Sequence, residues 1–558
     1  MTETLVHLIE SAAAEFPDAP ALEGEGEGGG RVCLSRTDLL RRAAALAGRL
    51  IEAGLGPGDS AALLSPNRAE WAVGYFAVLL AGGVLVPLDV NLKQGEWANI
   101  LERSKVAALL TDVSREEDAR ALAEGLPGSI PHFRIDEAAE TEALPLSRWP
   151  GAERGPDDLA LISFSSGTTG VPKGVMLTHG NIASNAQAAA SLFLSGEEDV
   201  FLSILPLHHM FESTAGLLLP LIAGAKVHYL ASLNPRVISE SMRREGVTVC
   251  IMVPAMARLM HRRIMSAALG GGFLQKTAFQ VLFALSKAAL GAGIRIGGLV
   301  FPQVKQRLGP RLRFFFSGGA ALDPVIGRDM LALGIEIIQG YGLTETSPVT
   351  HANRPGGGNR IGTVGPPLPG VEVRLSPAEG GNPGEGEILI RGPNVMKGYF
   401  GNPGLTAQVL REGWFHTGDI GRVDGDGYLT ICGRSKNVIV AESGKNIYPE
   451  EVEEELAASP LFSAACVIGK KNPRGGEEVF AVLVLHPEAE LPDPEEERGQ
   501  AIRGEIARLS SRLADYKRVS DFFVWPGGEL PQTTTLKVKR EEIKAALREM
   551  PGFGPEDF

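Results

Sequence analysis

Between Ser35 and Thr111 helical and strand patterns alternate, and this alternation limits the fold more than any other feature of the chain. Ser35 caps a helical pattern running to about Ala53, and the turn Gly54–Asp59 leads into a strand at Ser60–Leu64. Helices over Glu70–Ala81 and Gln94–Ser104 then bracket strands at Gly83–Pro87 and Ala107–Thr111. Short apolar strands separated by helices pair in parallel, so the fold class is α/β. Asp112–Pro156 is polar and proline-rich and reads as connecting structure.

The stretch Ser163-Phe-Ser-Ser-Gly-Thr-Thr-Gly-Val-Pro-Lys-Gly174 follows an apolar run at the expected end of a buried strand, where open α/β sheets place ligands. Hydroxyls of Ser165, Ser166, Thr168 and Thr169 alternate with Gly167 and Gly170, which let backbone N–H groups approach an anion, and Lys173 adds a compact positive charge. This composition suits phosphate, although a Ser/Thr/Gly cluster is also what an ordinary surface turn is made of. The Walker pattern GxxxxGK[ST] is absent, because Val171-Pro172 separates Gly170 from Lys173 and Gly174 stands in the Ser/Thr place.

A chain of 558 residues is too long for one core, so two or more domains are expected. The formal charge of -13 argues against a nucleic-acid partner, whose binding rests on Lys and Arg neutralising phosphates. Cys33, Cys250, Cys432 and Cys466 lie far apart without a CxxC or paired His, which predicts reduced thiols rather than a zinc site or a disulfide framework. Met1–Glu10 lacks a basic and then apolar leader pattern, so the default expectation is a cytoplasmic location.

Asp199–Pro206 reads as a buried strand that exits into Leu207-His208-His209-Met210-Phe211-Glu212. Adjacent residues on an extended chain face opposite ways, so one histidine at most is expected to face a site there, and His209 is the candidate. Gly246–Leu322 contains no Asp or Glu, and it interleaves Arg258, Arg262, Arg263, Lys276 and Lys287 with Phe273, Phe279 and Phe283. One reading is a peripheral contact of segment 246–322 with the inner surface of a membrane; the other is a packed helical hairpin with a solvated basic face. Further on, a strand at Leu312–Phe316 enters the small-residue turn Ser317-Gly318-Gly319-Ala320-Ala321, where a planar ring could lie on the backbone. The strand Glu336–Gln339 ends in Gly340-Tyr341-Gly342-Leu343-Thr344-Glu345-Thr346. That stretch offers an aromatic face, a hydroxyl and a carboxylate, and a carboxylate beside a triphosphate suits Mg2+.

These segments, together with Gly413-Trp-Phe-His-Thr-Gly-Asp419, Gly433-Arg434-Ser-Lys436 and Leu530-Pro-Gln-Thr-Thr-Thr-Leu-Lys537, occur in the order seen in the adenylate-forming superfamily, which the chain resembles over essentially its whole length. That superfamily comprises acyl-CoA synthetases, firefly luciferase and peptide-synthetase adenylation domains. Leu205–Glu212, the insertion before Leu312 and Thr535–Lys537 look most like long-chain fatty acid–CoA ligases. The resemblance implies a large N-terminal domain, residues 1–434, of α/β sheets packed with helices plus a β-barrel-like subdomain. It also implies a smaller mobile α+β C-terminal domain, residues 435–558.

The activity implied is attack of a fatty-acid carboxylate on the α-phosphate of Mg-ATP, giving acyl-AMP and pyrophosphate, then transfer to coenzyme A. Transfer to the phosphopantetheine of an acyl carrier protein is an alternative, and a catalytically idle acyl-binding or membrane-associated protein a second one. Carried over by position, Ser165–Lys173 would hold the β- and γ-phosphates, Gly318, Gly319, Ala320, Gly340, Tyr341 and Gly342 would frame the nucleotide, and Thr344 would contact the α-phosphate. Glu345 would bind Mg2+, Asp419 would hold the ribose with help from Arg434, and His209, Met210 and Phe211 would stand at the acyl pocket. Lys537 would bridge carboxylate and α-phosphate, although alone it reads equally as a basic helix cap. Lys436 would be the hinge and Gly444 would lie on the coenzyme A side. The chain departs from many relatives in having Leu536 before Lys537, and in a 434–444 loop one residue longer than in luciferase-like members, which bears on the coenzyme A contacts. A homodimer is the default symmetric assembly.

Overall fold

The computed structural model describes residues 3–26, 30–126, 128–137, 149–165, 172–193, 195–230, 232, 234–377, 383–442, 445–472, 475–532 and 538–558, Ser165 by its backbone alone. The chain divides into two compact units, Met1–Glu372 with Arg391–Gly413, and Val373–Ile390 with Trp414–Phe558. The boundary expected at Arg434 falls inside the second unit.

Two sheets build the first unit. One runs in the order Gly398–Tyr399, Lys173–Thr178, Leu159–Ser165, Val84–Pro87, Ser60–Leu64, Val106–Thr111, His132–Arg134. The pairs from Leu159–Ser165 through His132–Arg134 are parallel, as the alternating pattern predicts, with Ala61 opposite Leu85 and Leu85 opposite Leu161. Every residue of Ser60–Leu64 and Val84–Pro87 is buried, the uniform apolar character of strands covered on both faces. The other sheet runs Val349–Ala352, Ile337–Gly342, Phe314–Ser317, Val249–Met252, Val200–Ser203, Lys226–Tyr229, Pro20–Glu25, Arg31–Ser35. It is parallel except at its two edge pairs.

Helix Ala69–Leu80 touches strands of both sheets, which explains why all twelve of its residues are buried. An all-round apolar helix has no solvent face to offer and belongs between layers. The helix before it, Arg36–Glu52, begins as expected at Ser35: the Asp38 amide donates to Ser35 Oγ at 3.1 Å and the Ser35 amide to Asp38 Oδ2 at 3.0 Å.

The stretch expected to be mere connection contains a helix, Glu116–Gly125, and the edge strand His132–Arg134. Glu116, Glu117 and Asp118 hide the helical pattern, yet they occupy the first turn, where the helix dipole favours acids, and Ala119, Leu122 and Ala123 form the buried stripe behind them.

In the second unit, strands Gly386–Arg391, Trp414–Val423 and Leu429–Arg434 are antiparallel neighbours. Strands Phe462–Lys471, Glu477–Leu485 and Asp521–Val524 form a further sheet. Helices Pro449–Leu456 and Glu495–Ser510 carry buried Val452, Leu456, Ile502 and Ile506 in one of its cores. The last helix, Arg540–Glu549, buries Ile543 and Leu547 in another.

Candidate active site

The strands on either side of the phosphate-loop segment are partners. Leu159–Ser165 runs antiparallel to Lys173–Thr178, with Ser165 opposite Lys173. Ser166, Gly167, Thr168, Thr169 and Gly170 lie outside the described residues, as do Gly444 and Lys537. Lys173, at the start of the returning strand, stands 5.7 Å from the ring centroid of Tyr399. The Tyr399 hydroxyl donates to Glu345 Oε1 at 2.8 Å. One aromatic side chain therefore joins the loop lysine to the carboxylate expected at the metal. Burial and the neighbouring Glu345 charge push the Tyr399 phenol well above its ordinary value, so it stays a donor.

Glu345 sits in the single 3-10 turn Thr344–Thr346 that follows strand Ile337–Gly342. Its carbonyl accepts from the Met396 amide at 2.9 Å, and the Asn394 amide group donates to the Thr346 carbonyl at 2.9 Å. The last two residues of the turn are thus fastened to the segment leading to Tyr399. Among the described residues no donor takes Glu345 Oε2, and the side chain is half-buried. A carboxylate with one oxygen fixed and the other presented fits Mg2+, which takes oxygen ligands and keeps several waters.

Gly319 adopts φ +83° with nothing but Val253, at 4.0 Å, near a would-be Cβ, so this turn needs glycine for its backbone and leaves space beside it. The preceding Gly318 is buried under Phe211, whose Cζ would meet a Cβ there at 2.9 Å. Gly319 and Ala320 are exposed, a flat small-residue surface that fits a planar base. Gly342 has another reason to be glycine: a Cβ would fall 1.7 Å from the Pro348 carbonyl. The Tyr341 carbonyl accepts from Thr350 Oγ1 at 3.1 Å, which fixes this strand end against Val349–Ala352.

His208 and His209 lie in a turn, not on an extended strand, and their rings are neighbours with centroids 4.2 Å apart. The alternating-face expectation fails there because the strand ends at Ser203. Burial lowers His208 to about 3, leaving a neutral ring at physiological pH with Nε2 3.6 Å from Asp89. His209 is half-buried, Met210 is in the core, and Phe211 packs on Phe316 at 5.3 Å between centroids. Behind Phe316 runs a narrow crevice lined wholly by apolar side chains, among them Phe193, Phe201, Ala215, Val249 and Ile251.

In the second unit Asp419 and Arg434 face each other across an antiparallel pair, with Arg434 Nε 2.9 Å from Asp419 Oδ1. Asp419 is buried and its amide donates to Thr417 Oγ1 at 3.0 Å, so the carboxylate is held in place. Lys436 lies exposed in the short turn Ser435–Asn437.

Three residues of this region escaped the sequence reading. Tyr399 sits in a two-residue strand without a motif of its own. Asn67 accepts from the Leu207 amide at 2.9 Å and donates to the Leu205 carbonyl at 2.6 Å, pinning the approach to the histidines. Its signal was its place just beyond the C-terminal end of the parallel strand Ser60–Leu64, where such sheets carry function. Glu212 opens a π-helix, Glu212–Leu218, a form that recurs at functional sites. Its carboxyl is wholly buried, and Gly216 leaves room for it, since a Cβ there would lie 2.4 Å from Oε1.

A family model described as AMP-binding enzyme matches residues 9–400, and one described as AMP-binding enzyme C-terminal domain matches residues 451–537. The chain belongs to the AMP-binding enzyme family. This AMP-binding enzyme has relatives along most of its length. A feruloyl-CoA synthase from Amycolatopsis sp is 34% identical over 524 residues, covering 92% of this chain and 94% of the relative. A long-chain-fatty-acid–CoA ligase from Bacillus subtilis (strain 168) is 29% identical over 587 residues, covering 97% and 94%. Among solved structures, the O-succinylbenzoate coenzyme A synthetase from Bacillus subtilis in complex with ATP and magnesium superposes with a TM-score of 0.75 at 26% identity, covering 96% of this chain and 99% of that one.

Proposed function

We propose that this AMP-forming acid–CoA ligase acts on a fatty acid of long chain. The enzyme uses ATP, Mg2+ and coenzyme A. A carboxylate is a poor acylating agent, so it is first joined to AMP with release of pyrophosphate, and the coenzyme A thiol then displaces AMP. In the proposed assignment Lys173 and the loop before it hold the outer phosphates, and Thr344 meets the α-phosphate. Gly318–Ala320, Gly340, Tyr341 and Gly342 frame the nucleotide, and Asp419, steadied by Arg434, accepts from the ribose hydroxyls. Mg2+ would be held at Glu345, where it neutralises charge on the phosphate oxygens. Lys537 would balance the charge that builds between carboxylate and α-phosphate, Lys436 would serve as the pivot between the two half-reactions, and the coenzyme A face would lie near Gly444.

The observation that carries the fatty-acid reading is the apolar packing behind Phe211 and Phe316: the crevice there, about 10 Å³, is lined by apolar side chains alone and admits a chain when those side chains part. A ferulate ring carries a hydroxyl and a methoxy group, and its phenol would go unpaired there; a saturated chain asks for nothing but apolar contact. The long-chain relative from Bacillus subtilis supports the same reading, whereas the feruloyl-CoA synthase supports an aromatic acid.

The test is acyl-CoA and pyrophosphate formation with fatty acids from butyrate to stearate and with ferulate. The expected result is a kcat/KM that rises about fifteenfold for each added pair of methylenes, at about 0.8 kcal/mol per buried CH2, until the acyl pocket is filled. A kcat/KM for ferulate above that of every fatty acid overturns the proposal. Acid-dependent pyrophosphate release with no thioester formed on free coenzyme A moves the acceptor to a carrier protein.

A further inference from the structure

The acid-free segment folds as a helical hairpin, Pro254–Leu269 and Phe273–Gly291, whose second helix is apolar on two opposite sides. Its inner stripe, Phe279, Phe283 and Ser286, packs on the first unit: Phe279 and Phe283 stack at 5.4 Å and lean on Phe301, and Ser286 donates to the Ala332 carbonyl at 2.7 Å. Its outer stripe recurs at helical spacing through Leu274, Val281 and Leu285, which are 81%, 54% and 56% exposed. Phe273 and Leu299 nearby are 82% and 84% exposed. Among the described residues outside this segment, only Val325, Val423 and Val440 are large hydrophobic side chains counted as exposed. Water-facing apolar surface is therefore concentrated on one structural element, and such concentration marks an interaction face.

We propose that the outer face of this hairpin docks on an anionic lipid bilayer. The charge pattern selects that occupant. The chain as a whole carries a formal charge of -13, yet residues 246–322 hold no acid. Lys287 and Arg295 are answered from outside the segment by Asp329 and Glu336. Arg263 and Lys276 are exposed and have no acidic partner among the described residues. A second copy of the chain meeting this face symmetrically would bring one acid-free, basic segment against another, a like-charge contact with no acid in either to offset it. A bilayer with acidic head groups supplies both an apolar layer for Leu274, Val281 and Leu285 and negative charge for the cations. Among the described residues no helix is long and apolar enough to cross a membrane, so the helix lies along the interface.

The test uses the full chain and flotation with vesicles of phosphatidylcholine, with or without about one third phosphatidylglycerol. The wild type is expected to float with the anionic vesicles and to be released by salt. The triple substitution Leu274→Ser, Val281→Ser, Leu285→Ser is expected to lower the partition coefficient at least about tenfold. Arg263→Gln with Lys276→Gln is expected to lower it about fivefold per charge. All five side chains are exposed, so melting temperatures and the rate with a water-soluble short acid should stay at wild-type values. Equal binding to neutral and anionic vesicles, or variants that float like the wild type, overturns the proposal. A triple variant that turns a dimer into a monomer in sedimentation while leaving flotation intact also overturns it and gives the face to a second copy. Flotation is read without any acid substrate, so its failure is separate from failure of the fatty-acid reading.

Discussion

Replacing Tyr399 with phenylalanine removes one atom from the candidate active site and leaves the ring near Lys173 in place. The lost atom is the hydroxyl that donates to Glu345 Oε1 at 2.8 Å. A hydrogen bond to an ionised carboxylate is worth about 1.5–3 kcal/mol when shielded from water. Glu345 is half-buried, so water replaces part of the loss, and about 1–1.5 kcal/mol is the better figure. That corresponds to roughly a five- to tenfold drop in kcat/KM for Mg-ATP, with the magnesium concentration needed for half-maximal rate rising in step. The assay is pyrophosphate release across a magnesium series at fixed acid and coenzyme A. Tyr399→Ala, which also removes the ring 5.7 Å from the Lys173 ammonium, should cost about a further 0.5–1 kcal/mol. A Tyr399→Phe enzyme with wild-type kcat/KM and unchanged magnesium dependence would refute the link between Glu345 and the metal.

Two further predictions concern single buried carboxyls. Burial holds Glu212 up at about 8 against an ordinary value of 4.5, with Ser203, Tyr229 and Cys250 as its polar and titratable neighbours. The folded state keeps this proton longer than the unfolded chain does, so the stability it contributes is fully present below pH 4.5 and is lost as pH rises through 8. The difference in unfolding free energy between wild type and Glu212→Gln should therefore change by about 4–5 kcal/mol across that window, in favour of the variant at high pH; parallel curves in denaturant titrations at a series of pH values would sink the assignment. Asp419→Ala should lower kcat/KM for ATP about 30- to 100-fold and abolish discrimination between ATP and 2′,3′-dideoxy-ATP. Discrimination that survives the substitution would remove the ribose from Asp419.

Much of the fold was legible because buried parallel strands and amphipathic helices leave periodic traces. Ser60–Leu64 and Gln94–Ser104 have the bounds the sequence suggested, and Arg36–Glu52 starts where its capping residue put it. Glu116–Gly125 was missed because acids in its first turn look like a polar connection when residues are weighed without their place in the helix. The sites divide in the same way. Asp419 and Arg434 are announced by local motifs, and strand register brings them face to face. Tyr399 lies far from Lys173 and Glu345 in the chain and meets them only because Gly398–Tyr399 pairs with the hairpin strand at Val175 and Met176. The hairpin's exposed stripe was invisible for a related reason: in sequence, the outer and the core positions of one helix are both apolar, as Val281 and Phe283 show, and burial alone separates them.

The Arg540 guanidinium grips both oxygens of Glu453 at 2.6 Å, while Leu530 is buried ten residues earlier in the core of the same unit. Between them Gln532 and Val538 form an antiparallel bridge, and the Lys539 amide donates to the Pro531 carbonyl at 2.9 Å. Gln532 and Val538 are thereby fastened to the same core. Whatever displaces this unit carries both partners of the bridge with it, so Glu453 and Arg540 act as a mooring for the chain on either side of it.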